Sequence, residues 1–510
     1  MTTTTLRTHG RRLALVAAAA IALPVAGCGS SSDSSSSGAA NDPAKAIPIS
    51  APFYLEATVR PSGSDKTDLE AAGRKILRTS DPAAKLRQLI DQAGRKQGKT
   101  YERDIQPWLG DKAAIAITGY AAGKPEFAVV VNSTDDAKAA DLINGDSSYA
   151  DKRSFEGTDY RFDPKDGTAG GVVKHYLVIA SEPSFKQVAH LLNKGGDSLA
   201  SNQDLRDARS ATGNRPGFMF VDLQGLLRTV ASSAASSLGP SQLSAINGLF
   251  QRFRAFGAGI TADGQAVRMT VASVGGKGTG NGPATSLPLD KVTGNAWLAL
   301  SQKDIGSSIE RVLSSLGSTS DSITQLETAT GLNVKQDLLS WMGDVNLFVE
   351  GDSVPALGGA LVIQSTNPAR TRVAIAKIER LLAQFNQRPG AAPTGTSDGF
   401  TLPLGAQHKL LIGLAGNRFV IAIGQKALRD AIHPTSTLGS AADYRSASGL
   451  LGGGAKPSFF LDFPTVTRFL ALAAHGDAGF AKAKPYLDAF TALVGGGTGP
   501  GKTEIALGLK

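Results

Sequence analysis

Cysteine is nearly absent: Cys28 is the only one in 510 residues. A secreted fold stapled by disulfides needs pairs, so no such framework forms within this chain, and zinc sites built on paired cysteines go with it. Histidine is scarce as well. His175, His190, His408, His433 and His475 follow the N-terminal leader, and none stands in a His-x3-His or Glu-x-x-His arrangement. No two of them share a helical face as metal ligands, there is no EF-hand loop, and neither a metal nor another cofactor is expected. A second apolar run of about eighteen residues is missing, so the body should contain no membrane-spanning helix. A strong excess of one charge is missing too. The formal charge is +9, from 53 Lys+Arg against 44 Asp+Glu; the first 27 residues carry three arginines and no acid, which leaves +6 for the rest. Both signs are interleaved, as in Asp65-Lys66 and Arg103-Asp104. No Lys/Arg stripe alternates with aromatics, which argues against nucleic acid as a partner. A weak attraction to anionic envelope polymers is all this charge supports.

What is present begins at the N-terminus. Arg7, Arg11 and Arg12 form a positive region, and Leu13 to Val25 is an apolar run rich in Ala and Leu, too short for a permanent span. It ends in Val25-Ala26-Gly27-Cys28, which resembles the bacterial lipobox, where small residues precede a cysteine whose thiol is acylated before cleavage. Arg11-Arg12 also admits twin-arginine export, but its surroundings match that signal poorly and the general route is preferred. Residues 1–27 thus read as a lipoprotein signal peptide and Cys28 as the lipidated residue. The expected location is the extracytoplasmic face of the cell membrane, reached through the N-terminal lipid. Residues 28–46, Ser- and Gly-rich, read as a flexible tether with a root-mean-square reach of roughly 25 Å.

An internal repeat organises the remainder. Asp104-Ile-Gln-Pro-Trp108-Leu-Gly110-Asp111 recurs as Asp337-Leu-Leu-Ser-Trp341-Met-Gly343-Asp344, 233 residues later. Apolar runs follow each copy, Ala113–Thr118 with Phe127–Asn132 and Val345–Val349 with Ala360–Gln364, then helix-period segments over Asp135–Ile143 and Pro368–Phe385. Tyr176–Ala180 matches Arg418–Ala422, Asp204-Leu-Arg206 matches Asp443-Tyr-Arg445, and Met219–Asp222 matches Phe459–Asp462, always in the same order. The opening strands are Tyr54–Val59 and Trp297–Ser301. This gives a first unit over 47–275, a Gly-rich linker over 276–288 and a second unit over 289–510. Alternating strands joined by short turns such as Gly119–Lys124 predict an α+β fold of two tandem related units, each a mainly antiparallel sheet with helices packed on one face. In the Trp-x-Gly-Asp turns, Trp108 and Trp341 are expected to plug the core, Gly110 and Gly343 to take a positive φ, and Asp111 and Asp344 to cap exposed amides. A pair of related ligand pockets is the functional alternative. The lipobox, the tether, the Pro-Trp-Leu-Gly-Asp turn and the Asp/Arg segment together resemble an actinobacterial surface-protein family known as domain of unknown function family 3352, over roughly residues 50–510. The resemblance implies a fold and a location but no reaction. The second copy departs from the pattern at Ser340 and Met342, where the first has Pro107 and Leu109.

Two segments imitate catalytic motifs. Gly496-Gly-Thr-Gly-Pro-Gly501-Lys502-Thr503 satisfies the P-loop pattern, but that loop needs a strand before it and a helix after it. Tyr486–Val494 reads as helical and Glu504–Leu509 as a strand, so a helix-to-strand loop is expected and no nucleotide. Gly395-Thr-Ser397-Asp-Gly399 matches the nucleophile elbow, yet it sits in a Gly/Pro-rich run with no apolar strand beside it, the setting of an exposed loop. With no complete catalytic set, the sequence favours a non-enzymatic binding or scaffold protein that meets an envelope component or another protein. A cell-envelope hydrolase and a carrier of an apolar ligand are the alternatives. Convergent polar groups in a pocket would favour the hydrolase, an enclosed apolar cavity the carrier and a flat surface the scaffold.

Overall fold

The computed structural model describes residues 42–121, 124–226, 253–275, 286–315, 320–405, 408–474 and 476–510. Cys28 and most of the expected linker lie outside them. The described chain divides into two compact units, the first ending at Gly275 and the second beginning at Ser286.

In the first unit ten strands form an antiparallel sheet: β1 (Phe53–Thr58), β2 (Leu109–Ala121), β3 (Lys124–Ser133), β4 (Asp151–Phe155), β5 (Thr158–Asp163), β6 (Thr168–Val173), β7 (Tyr176–Ser181), β8 (Gly217–Asp222), β9 (Ala255–Ala262) and β10 (Ala266–Val274). They run in the order β10–β9–β8–β1–β2–β3–β7–β6–β5–β4. Among the described residues five helices accompany them, α1 (Gly63–Leu77), α2 (Pro82–Gly94), α3 (Asp136–Asn144), α4 (Glu182–Lys194) and α5 (Gln203–Thr212). They pack on both faces of the sheet, not on one as the sequence suggested. Tyr54, Ala114, Ala116, Ala128 and Val130 lie under Phe185 and Val188 of α4 and Leu205 and Ala208 of α5. Ala113, Val129 and Val131 point the other way, to Leu86 and Ile90 of α2, Ala139 and Ile143 of α3, and Trp108. The physical reason is written in the central strands. Ala113–Ile117 and Phe127–Val131 are continuously apolar, the mark of a strand buried on both sides.

The second unit has nine strands: β11 (Ala296–Gln302), β12 (Met342–Glu350), β13 (Gly358–Ser365), β14 (Asp398–Leu404), β15 (His408–Ala415), β16 (Arg418–Ile423), β17 (Lys456–Asp462), β18 (Phe490–Gly499) and β19 (Lys502–Leu509). All pairings are antiparallel, in the order β19–β18–β17–β11–β12–β13–β16–β15–β14. Its helices are α6 (Ile305–Ser315), α7 (Ser320–Thr330), α8 (Pro368–Gln384), α9 (Gln425–Ile432), α10 (Ala442–Ser448), α11 (Phe463–Ala473) and α12 (Ala478–Leu487). Trp341, Val345, Ile363, Phe400, Ile412 and Phe419 form a core with Ala374 and Ile375 of α8.

Two expected boundaries move. Composition puts the end of the tether at residue 46, but Asp42 already caps a short 3-10 helix, Pro43–Ala46, whose Ala44 and Ala46 are buried. Likewise the sequence extends the linker to residue 288, yet Ser286 donates its backbone N–H (2.5 Å) and its hydroxyl (2.8 Å) to Asp344, and Leu287 accepts a bond from Ser301. Each segment reads as spacer from its Ser-, Gly- and Pro-rich surroundings, and tertiary hydrogen bonds, from Arg209 to Asp42 and from Ser286 to Asp344, tie it to the body.

Candidate binding site

The repeated turns are built alike. In each, a π-helical turn (Tyr101–Ile105, Val334–Leu338) precedes the tryptophan. Trp108 Nε1 donates to the Asp104 carbonyl at 2.7 Å, and Trp341 Nε1 to the Asp337 carbonyl at 2.8 Å. The Asp104 and Asp337 carboxylates accept the backbone N–H groups of Thr100 and Asn333. Lys377 bonds Asp337 at 2.7 Å and holds its carboxyl below the usual range. Thr134 and Thr366 each give a backbone N–H and a hydroxyl to the tryptophan carbonyl. Neither Gly110 nor Gly343 has a positive φ, contrary to expectation. Both lie inside strands, where a Cβ on Gly110 would sit 2.6 Å from Asn132 Cβ and one on Gly343 2.9 Å from the Gln364 carbonyl. Close approach, not backbone conformation, requires glycine there. The two aspartates part company. Asp344 is buried and accepts from Asp304 N–H at 3.0 Å as well as from Ser286, while the Asp111 side chain is exposed. Only Asp344 caps amides. Both rings are buried and the backbones beside both glycines are closely packed.

Two ionic clusters had no sequence signal, because their members are far apart in the chain. In the first unit Arg209 on α5 donates to both Asp42 oxygens (2.6 and 3.1 Å) and to Glu56 (2.7 Å), while Tyr54 Oη (2.5 Å) and Lys112 Nζ (2.8 Å) also reach Glu56. Burial pushes the Asp42 carboxyl up, but the Arg209 hydrogen bonds and charge outweigh it and hold it low. In the second unit Lys426 on α9 bonds Glu350 and Asp430, each at 2.7 Å, and Asn295 reaches Asp430 at 3.2 Å. Burial pushes Glu350 up, and Lys426 holds Asp430 down. These are tied-off networks, each carboxylate held by a cation. They also settle where Glu56 points. Its carboxylate shares the Tyr54 face, under α5, and leaves the opposite face of β1 without charge.

That opposite face is covered by α2 and α3 over β2 and β3, and is only partly covered by the described residues over β1, β8 and β9. Paired residues place Phe53, Leu55 and Ala57 of β1 beside Ile115 and Ile117 of β2 and beside Gly217, Met219 and Val221 of β8. The row continues through Phe256 and Ile260 of β9 to Met269 of β10. All are apolar, and all are only half-buried. Beside this face lies a partly open cavity of about 180 Å³, lined by Leu55, Glu56, Ala57, Ile115, Ile260 and Thr261 among others, with Leu69 of α1 at its edge; the Glu56 carboxylate itself is turned to Arg209 and Lys112. The room exists because Ala57, Ala113, Gly217 and Ala262 are small where neighbouring positions carry branched side chains.

The catalytic look-alikes fall elsewhere. The helix expected over Tyr486–Val494 ends at Leu487, and a strand, β18, carries the glycines. Lys502 opens β19 after a Pro500-Gly501 turn, so the segment is a β-hairpin with no helix N-terminus for phosphate. Lys502→Ala should change stability by less than about 0.5 kcal/mol and leave ATP without measurable binding, as in the parent; calorimetric titration of both proteins checks this. Ser397 Oγ donates to Asp398 (2.7 Å) and to the Leu414 carbonyl (3.1 Å), at the entry to β14, and no helix follows it. His175 pairs with Asp136 and His190 with Glu156, each at 2.8 Å. His408 opens β15, His433 ends α9, and His475 lies outside the described residues. Among the described residues no group of three His, Cys, Asp or Glu could hold a metal, and no helix is long and apolar enough to cross a membrane.

The fold is thus of the α+β class, built on antiparallel strands. The chain belongs to the family described as "Protein of unknown function (DUF3352)", which matches residues 13–495. No curated protein matches it. Among solved structures, crystal form I of TP0453 is similar at 12% identity and a TM-score of 0.21, over 77% of this chain and 96% of that one. Crystal forms IV and III give TM-scores of 0.19 and 0.17 at the same identity and the same share of this chain, over 96% and 98% of theirs.

Proposed function

We propose that this chain is a lipid-anchored binding protein of the extracytoplasmic membrane face whose first unit takes up an apolar chain. The observation that carries the reading is the cavity beside a half-buried apolar sheet face. A soluble body leaves such a surface only where something covers it. The anchor rests on the lipobox-like segment ending at Cys28, and the non-enzymatic character on ionic clusters that are tied off rather than poised. The two units are proposed to be copies of one ancestral unit. Their matching strand order supports this. So do the matching Trp turns and the bridges Pro48–Ser198 and Thr293–Thr437, each made by the segment just before the first strand of its unit.

Magnitudes constrain the ligand. A cavity of about 180 Å³ slightly exceeds the roughly 150 Å³ that accepts one benzene, so it holds one ring or about six methylenes. Burying six methylenes is worth about 5 kcal/mol before the cost of association, too little alone for tight binding. A longer chain can continue over Phe53, Ile117 and Met219. A dodecyl-chain fluorescent probe should therefore bind at least about tenfold tighter than its hexyl analogue. Ala57→Phe, which fills the cavity from a half-buried strand position, should abolish hexyl binding while thermal unfolding stays cooperative. Equal binding by Ala57→Phe and the parent would remove the cavity from the reading.

A further inference from the structure

The cavity is closed on one side by a helix that is held unlike its neighbours. Of the fifteen residues of α1 only Ala72 and Gly73 are fully buried. By contrast, α2 buries Pro82, Ala83, Leu86, Ile90 and Gly94 along thirteen residues. Helix α1 packs on β9 and on α2 and sends Leu69 to the edge of the cavity. Each end of it is a turning point. Gly63 has φ +56° with nothing near its Cβ position, and Arg78, the C-cap, has φ +53°. The N-cap Ser62 makes no side-chain capping bond. Left-handed residues at both ends are where a rigid helix can swing with changes confined to a few dihedrals. Asp65, Asp68 and Arg74 face water, so displacement would leave this charged surface solvated.

We infer that α1 is the gate of the cavity, and that a single unbranched alkyl chain is what passes it. This rests on the apolar-ligand reading above. The class of ligand follows from three features. The cavity is too small for a steroid-sized polycycle, the carboxylate of Glu56 beside it is turned to Arg209 and Lys112, and a strip of half-buried apolar residues adjoins it. Leu69 closes over the inserted segment. Release requires α1 to lift from β9, where small residues, Ala71 on the helix and Gly264 in the β9–β10 turn, make the contact.

That contact also provides the test, since a Cβ on Gly264 would lie 3.4 Å from Ala71 Cβ, close to the separation of a disulfide, and Gly264 has no positive φ. The full chain carrying Cys28→Ser, Ala71→Cys and Gly264→Cys has only these two thiols. Association and dissociation of a dodecyl-chain fluorescent probe are measured by stopped flow before and after oxidation, with the disulfide verified by mass. The reduced protein should match Cys28→Ser alone, and the oxidised one should slow in both directions at least tenfold. Equal rates in the two states, with binding intact, overturn the gate and leave the apolar-ligand reading standing. No binding by the reduced protein or by Cys28→Ser overturns the ligand reading and the gate with it. Failure of the disulfide to form overturns the placement of α1. As a second variant, Leu69→Ala should speed dissociation several-fold, and an unchanged rate counts against the gate.

Discussion

Trp341→Ala is expected to destabilise the second unit by about 3–5 kcal/mol, more than any other single core truncation we would choose there. The ring is 1% exposed and meets Phe419 edge-on at 5.1 Å, inside the cluster of Val345, Ile363, Ile375 and Phe400. Removing it opens a cavity that β12 and β13 cannot close, because Gly343 already brings the two backbones together. It also strips the Asp337 carbonyl of its indole donor. Trp341→Phe separates the two contributions. It keeps most of the packing and loses the N–H bond, so it should cost about 1–2 kcal/mol. Urea unfolding followed by circular dichroism reads both, and Trp108→Ala should behave in the same way in the first unit, where that ring is 3% exposed. A loss below about 1 kcal/mol for Trp341→Ala would mean that the turn is not the plug of its core, and the ligand-pocket alternative for these motifs would return.

How much of this was readable beforehand depends on whether a feature is local. The hairpin β2–β3, strand β7 and the Trp turns announce themselves within about ten residues; the sequence ends β7 within one residue of where it stops, but reads the hairpin strands as Ala113–Thr118 and Phe127–Asn132, up to four residues short of their observed ends. Register is different. That Leu55 opposes Ile115 and Met219 follows from three segments separated by sixty and more than a hundred residues, and no period in any one of them states it. The cavity is legible only after that pairing is known, since it is made by Ala57, Ala113 and Gly217 meeting on one face. Arg209 and Glu56 are a similar case, 153 positions apart. The β18 segment was misread for another reason. Leu487, Ala489 and Leu493 suit a helix, and three successive glycines look like a loop. Gly495–Gly497 instead pair with β17 and β19 in a central position, where Gly496 lies against the Lys456 carbonyl and leaves no space for a side chain.

Cys28→Ala should remove all acyl label from the protein and leave a precursor that still carries residues 1–27. The argument begins with arithmetic: Cys28 is the chain's only thiol, so no second residue can take a thioether-linked diacylglycerol. It continues with position. Cys28 follows three arginines, an apolar run and Val-Ala-Gly in the order that a signal peptide requires. The energetic consequence is large, because each buried methylene contributes about 0.8 kcal/mol, and two long acyl chains hold a protein on a membrane where a single one does so only marginally. The folded body begins by Asp42, fourteen positions on, so the anchor would keep it within at most about 50 Å of the bilayer. A cavity for an alkyl chain held at that distance can exchange chains with the membrane itself, whereas the same cavity on a freely diffusing protein has to find its ligand in water. The measurement is metabolic labelling with radioactive palmitate, with intact mass on the purified parent, Cys28→Ala and Cys28→Ser. The parent should be labelled and begin at Cys28, and both variants should be unlabelled and uncleaved. Palmitate retained by Cys28→Ala would sink the anchoring proposal. Cleavage at the same place in Cys28→Ser would replace the lipoprotein signal with an ordinary secretory one.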